Sequence, residues 1–278
     1  MSKSSLMRVS IITPCRNAAR YIGQTVESVL AQSVFKSGRA DLEYIVCDGA
    51  STDDTIRIVR EFDTRAITII SEPDRTMYEA LTKGLARASG DVVGYLNAGD
   101  YYHPFALEVV ADVFQNRKIS WMTGFAAIYN EAGAIVEAVL PYRYRRRLFA
   151  CGAYGQLLPF IEQESTFWRR ALHEHLDYGV LAQMRYAGDY YLWEKFSRHV
   201  ELCVVEAILG GFRKHPGQLS ENLDAYLDEV RAITRKPNLV DFVVARWDAL
   251  LWNFSTGTKK RFNREWLLRY NHATRQWI

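Results

Sequence analysis

The chain has 278 residues, of which 49% are hydrophobic and 24% charged, as in a globular protein with one large domain or a domain and an extension. The formal net charge is only +3, so no strong basic field favours nucleic acid as a partner. The four cysteines are scattered without a CxxC pair, which indicates reduced thiols in a cytoplasmic protein. No apolar run is long enough for a transmembrane helix, and the N-terminal one is too short for a signal peptide.

The first hundred residues alternate short apolar runs with helical patterns. Strands are predicted at residues 8–13, 42–47 and 66–70 and just before Asn97, and helices at 18–32, 56–62 and 76–88. Such alternation is typical of an α/β fold, with a mostly parallel central sheet, right-handed crossovers and flanking helices.

Three of these predicted strands end in polar residues, namely Thr13 with Asn17, then Asp48, then Asn97 with Asp100. Because carboxyl ends of parallel strands share one edge, we expect these groups to line one cleft. Neither GxGxxG nor GxxxxGK[ST] occurs. The phosphates of a bound nucleotide would therefore need a cation or basic side chains.

The pattern changes after Asp100. The sequence predicts a helix at 104–116, a hairpin of 121–129 with 134–140, a strand-like run at 161–168, a helix at 187–199 and a strand with a turn at 200–212. The basic run at 143–147 favours a solvated loop, and the alternative is contact with a phosphate or anionic lipid.

The C-terminal segment, residues 236–278, is basic and rich in tryptophan, and its apolar residues recur at helical spacing between positions 240 and 254. Two interpretations stand. The helix packs on the body of the protein, or it forms a basic amphipathic segment that lies on the inner membrane surface.

Several short motifs, taken together in their order, resemble the family 2 inverting glycosyltransferases with the GT-A nucleotide-diphospho-sugar fold. They are SIITP at 10–14 with Asn17, DGASTDDT at 48–55, EPD at 72–74, Tyr78 with Lys83 and Gly84, ASGD at 88–91, LNAGD at 96–100, QESTFWRR at 163–170, AGDY at 187–190 with Trp193, and FRKH at 212–215. The resemblance covers about residues 9–220.

This resemblance implies a glycosyltransferase domain at 1–220, with a nucleotide-binding half at about 7–117 and an acceptor half at about 118–220. The remainder, 221–278, is then a helical, basic, Trp-rich extension. The implied donor-binding residues are Thr13, Pro14, Asn17, Asp48, Asp74, Lys83 and Asn97. Among them, Asp48 would accept a hydrogen bond from the nucleoside base.

The same resemblance places Asp100 among the acids that contact metal and diphosphate, and His215 is a further candidate metal ligand. Gly99 occupies a position that is often aspartate, which leaves Asp100 as the only carboxylate of the turn. A divalent cation, Mn²⁺ or Mg²⁺, would then be assembled largely with the substrate diphosphate.

Asp189 is the candidate general base, because direct displacement at an anomeric carbon requires the acceptor hydroxyl to lose its proton. The alternative is that Asp189 only caps a helix. Glu164 is the second candidate base, or a group that binds the acceptor.

The expected activity is inverting transfer of a sugar from a nucleotide-diphospho-sugar, with a UDP-sugar favoured, to a hydroxyl of a glycan or lipid-linked glycan. The expected location is cytoplasmic, at the inner face of the plasma membrane if the C-terminal segment binds there. One alternative is a nucleotidyltransferase, although residues 14–17 lack the glycine-rich basic loop of that class. The other is a catalytically silent sugar-nucleotide-binding or scaffold subunit, which Gly99 favours.

Overall fold

The apolar runs of the sequence form the strands of a large sheet in a computed structural model that describes residues 6–214 and 218–278. The strands are β1 (Met7–Cys15), β2 (Ala40–Asp48), β3 (Ile67–Ser71), β4 (Val92–Tyr95), β5 (Tyr101–Tyr102), β6 (Trp121–Thr123), β7 (Ala126–Tyr129), β8 (Ile135–Val139), β9 (Thr166–Arg169), β10 (Cys203–Val205), β11 (Gly210–Arg213), β12 (Leu267–Leu268), β13 (Tyr270–Asn271) and β14 (Gln276–Trp277). The helices are α1 (Ile22–Leu30), α2 (Ser33–Lys36), α3 (Thr55–Glu61), α4 (Met77–Arg87), α5 (Ala106–Asn116), α6 (Arg146–Phe149), α7 (Tyr178–Leu181), α8 (Gly188–Ser197), α9 (Leu223–Ile233), α10 (Leu239–Trp252) and α11 (Thr256–Phe262).

Eight of the described strands form the central sheet in the order β12-β10-β6-β9-β4-β1-β2-β3. Strand β1 pairs in parallel with β2 and β4, and β2 pairs in parallel with β3. Strand β9 is antiparallel to both of its neighbours, β4 and β6. A second sheet has the order β5-β11-β7-β8. The predicted α/β class with a mostly parallel sheet is confirmed.

The two faces of the central sheet are covered by separate apolar cores. Ile11 of β1 belongs to one core, and Ile12, its neighbour in sequence, belongs to the other, because successive side chains of a strand point to opposite faces. Helix α4 lies very close to the sheet at Gly84, where a Cβ atom would lie 2.4 Å from Ile12 Cγ2. Glycine is therefore required at this position of the motif.

The run at 121–129 differs from the predicted single hairpin strand. It divides into β6, which enters the central sheet, and β7, which pairs with β8 in the second sheet. The hairpin itself is present, and its turn contains Gly133 at φ +86°, where glycine is favoured. Pairing partners that are distant in sequence decide this division, and a local pattern does not contain them.

The C-terminal extension is helical as far as Phe262, and it then continues in short strands that the sequence pattern did not predict. Strand β12 then joins the central sheet in parallel with β10. Leu267 packs in the core on one face of the sheet, and Leu268 packs in the core on the other face. The burial of both side chains explains why this short segment forms a strand. Within residues 6–214 and 218–278, no helix combines the length and the apolar character needed to cross a bilayer.

The basic run at 143–147 anchors the extension. Arg145 makes a bidentate ion pair with Asp248 of α10, with Nε 2.6 Å from Oδ2. Arg147 pairs with Asp241, also on α10, and Arg235 contacts the same carboxylate at 2.6 Å. Both aspartates are fully buried. The preference for a solvated loop is therefore wrong, because carboxylates distant in sequence take up these charges.

Replacing Asp248 by alanine should destabilise the fold by about 3 kcal/mol, because it leaves Arg145 without its buried partner. Urea denaturation of the two proteins measures the difference. The matched control is Asp228→Ala, which removes an exposed carboxylate paired with Arg231 on α9 and should cost less than about 1 kcal/mol. Equal losses in the two variants would contradict the anchoring role of Asp248.

Candidate active site

The carboxyl end of β2 holds Asp48, which is 1% exposed. Its carboxylate accepts hydrogen bonds from the Ser51 backbone N–H and hydroxyl and from the Ser71 hydroxyl, the last at 2.6 Å. Asp48 therefore ties the loop that follows β2 to the end of β3. A carboxylate has about four acceptor positions, so one remains for a ligand.

Asn17 joins the loop after β1 to the loop after β2. Its Oδ1 accepts from Thr52 N at 2.9 Å, and its own N–H donates to Ser51 Oγ at 2.8 Å. Asn17 has φ +50°, a conformation that asparagine tolerates well. The predicted convergence of Asn17 and Asp48 is thus present in the structure.

Thr13 and Pro14 form the floor beneath these loops. Thr13 is buried, and its Oγ1 lies 3.0 Å from the hydroxyl of Tyr44, a core residue. Pro14 is also buried, and it pairs with Cys47 in the β1–β2 register. Both residues support the cleft from below.

Lys83 of α4 holds the loop that follows β3. It forms ion pairs with Asp74 and with Glu72, the latter at 3.2 Å, and donates to Pro73 O at 3.2 Å. Burial raises the pKa of Asp74, and the neighbouring ammonium opposes this effect. Since two carboxylates already face Lys83, its first role is to position the loop.

The turn after β4 is fixed by Thr25 of α1. The Thr25 hydroxyl accepts from Gly99 N at 3.0 Å and donates to Asp100 O at 2.8 Å. Gly99 has φ +127°, which favours glycine over any other residue. The glycine at a position that is often aspartate therefore has a conformational reason.

Asp100 lies beneath this turn and is 2% exposed. Its Oδ1 accepts from Arg213 N at 2.8 Å, and burial raises the pKa of its carboxyl to about 7. The Arg213 guanidinium lies against the rings of Tyr21 and Tyr101, 5.6 Å and 4.9 Å from their centroids. In the sequence, Arg213 was recognised only as part of the FRKH motif, with no role assigned to it. The structure places it next to this turn.

Few protein side chains near the turn at residues 97–100 are available to bind a divalent cation. The described ranges contain no group of three or more histidine, cysteine, aspartate or glutamate side chains arranged to hold a metal ion. Asn97 contributes a buried Oδ1 without a hydrogen-bond partner, close to the carboxylate of Asp100 in sequence. These two oxygens suit Mg²⁺ or Mn²⁺ if a diphosphate completes the coordination. His215 lies outside the described residues.

Glu164 is 1% exposed and lies on the short turn before β9. Burial raises its pKa well above the ordinary value, and the nearby carboxyls of Glu162 and Asp100 raise it further. Burial also raises the pKa of Glu162. The raised pKa favours the protonated form of the Glu164 carboxyl, which argues against Glu164 as the base.

Asp189 is the second residue of α8 and is partly exposed. Its Oδ1 accepts from Tyr190 N at 2.7 Å, and the hydroxyls of Tyr78 and Tyr226 each lie 3.5 Å from one carboxyl oxygen. Burial raises the pKa of this carboxyl to about 7. The N-cap of α8 is Ala187, so Asp189 is not the capping residue.

The extension holds the segment that precedes Asp189. Glu229 of α9 accepts hydrogen bonds from the backbone N–H groups of Arg185, Tyr186 and Ala187, at 2.9, 2.9 and 2.8 Å. The Tyr78 hydroxyl donates to Tyr186 O at 3.0 Å. Sequence reasoning missed Glu229 and Tyr226, because no motif marks them and the tail lay outside the resemblance.

Gly188 lets α8 approach α4 at the site. A Cβ atom at this position would lie 2.3 Å from the Tyr78 ring. A larger residue would therefore displace the tyrosine and, with it, one of the two hydroxyls next to Asp189.

Several buried polar atoms of this region have no hydrogen-bond partner among the described residues. They are Tyr95 Oη, Asn97 Oδ1, Tyr102 Oη and Glu164 Oε1. Buried polar atoms in native structures are nearly always satisfied. These four atoms are therefore candidates for hydrogen bonds to a polar ligand.

Comparison of the sequence with known proteins identifies related glycosyltransferases. The model of glycosyl transferase family 2 matches residues 10–176. A UDP-Glc:α-D-GlcNAc-diphosphoundecaprenol β-1,3-glucosyltransferase of Escherichia coli, WfgD, is 27% identical over 77% of this chain and 80% of its own length.

Other relatives are much longer than the matched region. The alignment covers 34% of an uncharacterized glycosyltransferase of Nostoc, at 31% identity over 41% of this chain. It covers only 15% of the chondroitin synthase of E. coli, at 34% identity over 38% of this chain. The chain thus spans 34% and 15% of the length of these two relatives.

Solved structures show the fold. The structure of S. aureus TarS 1–349 in complex with UDP-GlcNAc superposes with a TM-score of 0.57 at 15% identity, over 94% of this chain and 71% of that chain. Glucosyl-3-phosphoglycerate synthase of Mycobacterium tuberculosis, in complex with Mn²⁺, UDP and glucosyl-3-phosphoglycerate, gives a TM-score of 0.53 at 21% identity, over 84% and 82%. Since the family model covers more than half of the sequence and the architecture agrees, the chain is a member of glycosyltransferase family 2 with the GT-A fold.

Proposed function

We propose that this chain is an inverting glycosyltransferase that moves a sugar from a nucleotide-diphospho-sugar to a hydroxyl of a glycan or lipid-linked glycan. The observation that carries the proposal is the position of Asp189, a partly exposed carboxyl whose oxygens lie 3.5 Å from the hydroxyls of Tyr78 and Tyr226 and whose pKa is raised by burial to about 7. A UDP-sugar is the favoured donor, because WfgD is named for UDP-Glc and the TarS structure holds UDP-GlcNAc.

Asp189 serves as the general base in this proposal. As the acceptor oxygen attacks the anomeric carbon, its proton passes to an Asp189 carboxyl oxygen, and the bond from the anomeric carbon to the diphosphate oxygen breaks. The nucleoside diphosphate leaves on the opposite side, which inverts the anomeric centre. A pKa of about 7 suits this role, because the group is partly ionised at neutral pH and becomes a useful proton acceptor.

The diphosphate binds at the turn formed by residues 97–100. Asn97 and Asp100 would hold a divalent cation, Mn²⁺ or Mg²⁺, together with the diphosphate, and the cation would supply positive charge for the leaving group. Arg213 lies against this turn and adds a fixed cation. The role of His215 as a further metal ligand stays a prediction.

The nucleoside binds at the loops after β1 and β2. The remaining acceptor position of Asp48 receives a hydrogen bond from the base, and Asn17 keeps the adjoining backbone in place. Thr13 and Pro14 support this surface from below, and the Lys83–Asp74 ion pair fixes its edge. Glu164 binds the acceptor by a hydrogen bond from its carboxyl, because the raised pKa of this group favours the protonated form.

A cytoplasmic location at the inner face of the plasma membrane fits a lipid-linked acceptor. WfgD acts on such an acceptor according to its name. The proposed acceptor class is therefore a glycan on a lipid carrier. Assays with different labelled UDP-sugars would identify the donor sugar.

Asp189→Asn should abolish sugar transfer and leave UDP affinity within about twofold, because the amide cannot accept the proton at neutral pH. In the unmodified protein, kcat/KM should increase tenfold for each unit by which the pH is raised up to about 7, the pKa of Asp189, and should then level off. The reason is that only the ionised carboxyl can act as a base. Labelled UDP-sugars with a lipid-linked acceptor measure both effects. Retained transfer in Asp189→Asn would exclude this base.

Glu229→Ala should lower kcat by about 100-fold with little change in donor KM, because three backbone N–H groups lose their acceptor and Asp189 shifts. The control is Asp224→Ala, another carboxylate of α9, which is exposed. An unchanged kcat in Glu229→Ala, or an equal loss in the control, would exclude the positioning role.

Mn²⁺ should increase the thermal stabilisation that UDP produces by several degrees, while Mn²⁺ alone should have little effect, because the diphosphate completes the metal site. Asp100→Asn keeps the acceptor for Arg213 N and should remove the increment that depends on Mn²⁺. Differential scanning fluorimetry gives both values. Equal binding of UDP with and without Mn²⁺ would contradict the metal site. The positive charge at the diphosphate would then have to come from Arg213.

A further inference from the structure

Helix α10 exposes a large apolar surface although its inner face is already packed against the protein. That inner face carries Asp241 and Asp248, both fully buried in ion pairs with arginines, together with the buried apolar residues Ala245, Leu251 and Trp252. Its outer face carries six large apolar residues that are between 45% and 78% exposed. They are Leu239, Val240, Phe242, Val243, Trp247 and Leu250 and are called the α10 ridge below.

The exposed apolar surface needs an explanation outside the described chain. A helix on the surface of a globular protein normally buries its apolar stripe and exposes its charges. Here the ion pairs with Arg145, Arg147 and Arg235, together with the buried apolar residues of the inner face, attach α10 to the protein and leave the ridge outside. A contiguous apolar surface of this kind marks an interaction site.

A basic pocket adjoins the ridge. Lys260, Arg261, Arg264 and Arg269, with Gly257, line a cavity of about 370 Å³. Over residues 256–269 the sequence has five lysines and arginines and one carboxylate, Glu265. Within the described ranges, Arg261 and Arg264 have no ion-pair partner, whereas Arg269 pairs with Glu206.

Two aromatic rings join the ridge to the pocket. Trp247 of the α10 ridge and Phe262 of α11 meet edge to face, with ring centroids 6.5 Å apart. Phe262 is half exposed and lies between Arg261 and Arg264 in sequence. Apolar residues, an exposed tryptophan and unpaired cations thus form one continuous surface.

We propose that the α10 ridge and the basic pocket dock the protein on an anionic phospholipid bilayer. The ridge enters the boundary between headgroups and acyl chains, and the cations of the pocket bind lipid phosphates. The two carboxylates of α10 face inward, so they do not oppose this contact. The positive charges of Arg261 and Arg264 beside the ridge favour an anionic surface as its occupant, and a second copy of the chain is an outcome that the test below distinguishes.

The docking proposal stands apart from sugar transfer, although it would place the active site near a lipid-linked acceptor. The test uses the full chain and sedimentation with vesicles of phosphatidylcholine alone or with one third phosphatidylglycerol. Binding should require the anionic lipid and fall steeply with added salt. Activity toward a soluble acceptor, measured in parallel, reports on the catalytic proposal separately.

Two variants and two matched controls locate the contact. Arg261→Gln with Arg264→Gln should lower the partition coefficient about 30-fold, and Val243→Ser with Trp247→Ser should bring binding down to the level of neutral vesicles. Arg60→Gln with Arg65→Gln, and Phe105→Ser with Val136→Ser, change exposed residues elsewhere and should have no effect. All of these side chains are exposed, so the variants should keep the melting temperature.

Three outcomes would overturn the proposal. The first is equal binding to neutral and anionic vesicles, and the second is equal loss in the variants and their controls. The third is a dimer in analytical ultracentrifugation that the ridge variant dissociates while vesicles bind neither form, which would make a second copy the occupant of the ridge.

Discussion

Parallel pairing of β1 with β2 and β4 is the constraint on which the candidate site depends. It brings the carboxyl ends of three strands to one edge, although they lie far apart in sequence. The loops that leave this edge are then locked by side chains, as Asp48 does with Ser51 and Ser71. The same edge receives Asp100 from the turn after β4, and the strand register therefore sets the distances on which binding would depend.

Burial raises the pKa of three carboxyls at this site. The pKa is raised to about 7 for Asp100 and for Asp189, and the carboxyls of Glu162 and Asp100 add to the effect of burial on the pKa of Glu164. Asp189 differs from the other two in its exposure and in the two tyrosine hydroxyls beside it. It also lies at the start of a helix whose preceding segment is held by Glu229 of the extension.

The C-terminal extension contributes to both regions. Its first helix, α9, supplies Glu229 and Tyr226 behind Asp189, and its second helix, α10, is attached by buried aspartates to arginines of the preceding domain. Strand β12 continues the central sheet. A boundary at residue 220 therefore separates the stretch that resembles the family from the rest of the sequence, while the two segments share their cores.

The sequence predicted the parts of the fold that depend on local patterns. Apolar runs predicted β1 to β4, and the helix-forming composition of residues 76–88 predicted α4, which the structure shows at Met77–Arg87. The convergence of Asn17 and Asp48 followed from parallel pairing alone. The partners of residues 143–147, the split between β6 and β7, and Glu229 could not be predicted, because each depends on a residue far away in sequence.

The most direct test of the account is a crystal structure with a UDP-sugar analogue that cannot react. The account predicts the diphosphate at residues 97–100 and the anomeric carbon between it and Asp189, with the carboxylate on the face opposite the leaving group. That geometry is required for inversion with Asp189 as the base. A sugar that presents the same face to the diphosphate and to Asp189, or a nucleotide bound away from Asp48, would contradict it.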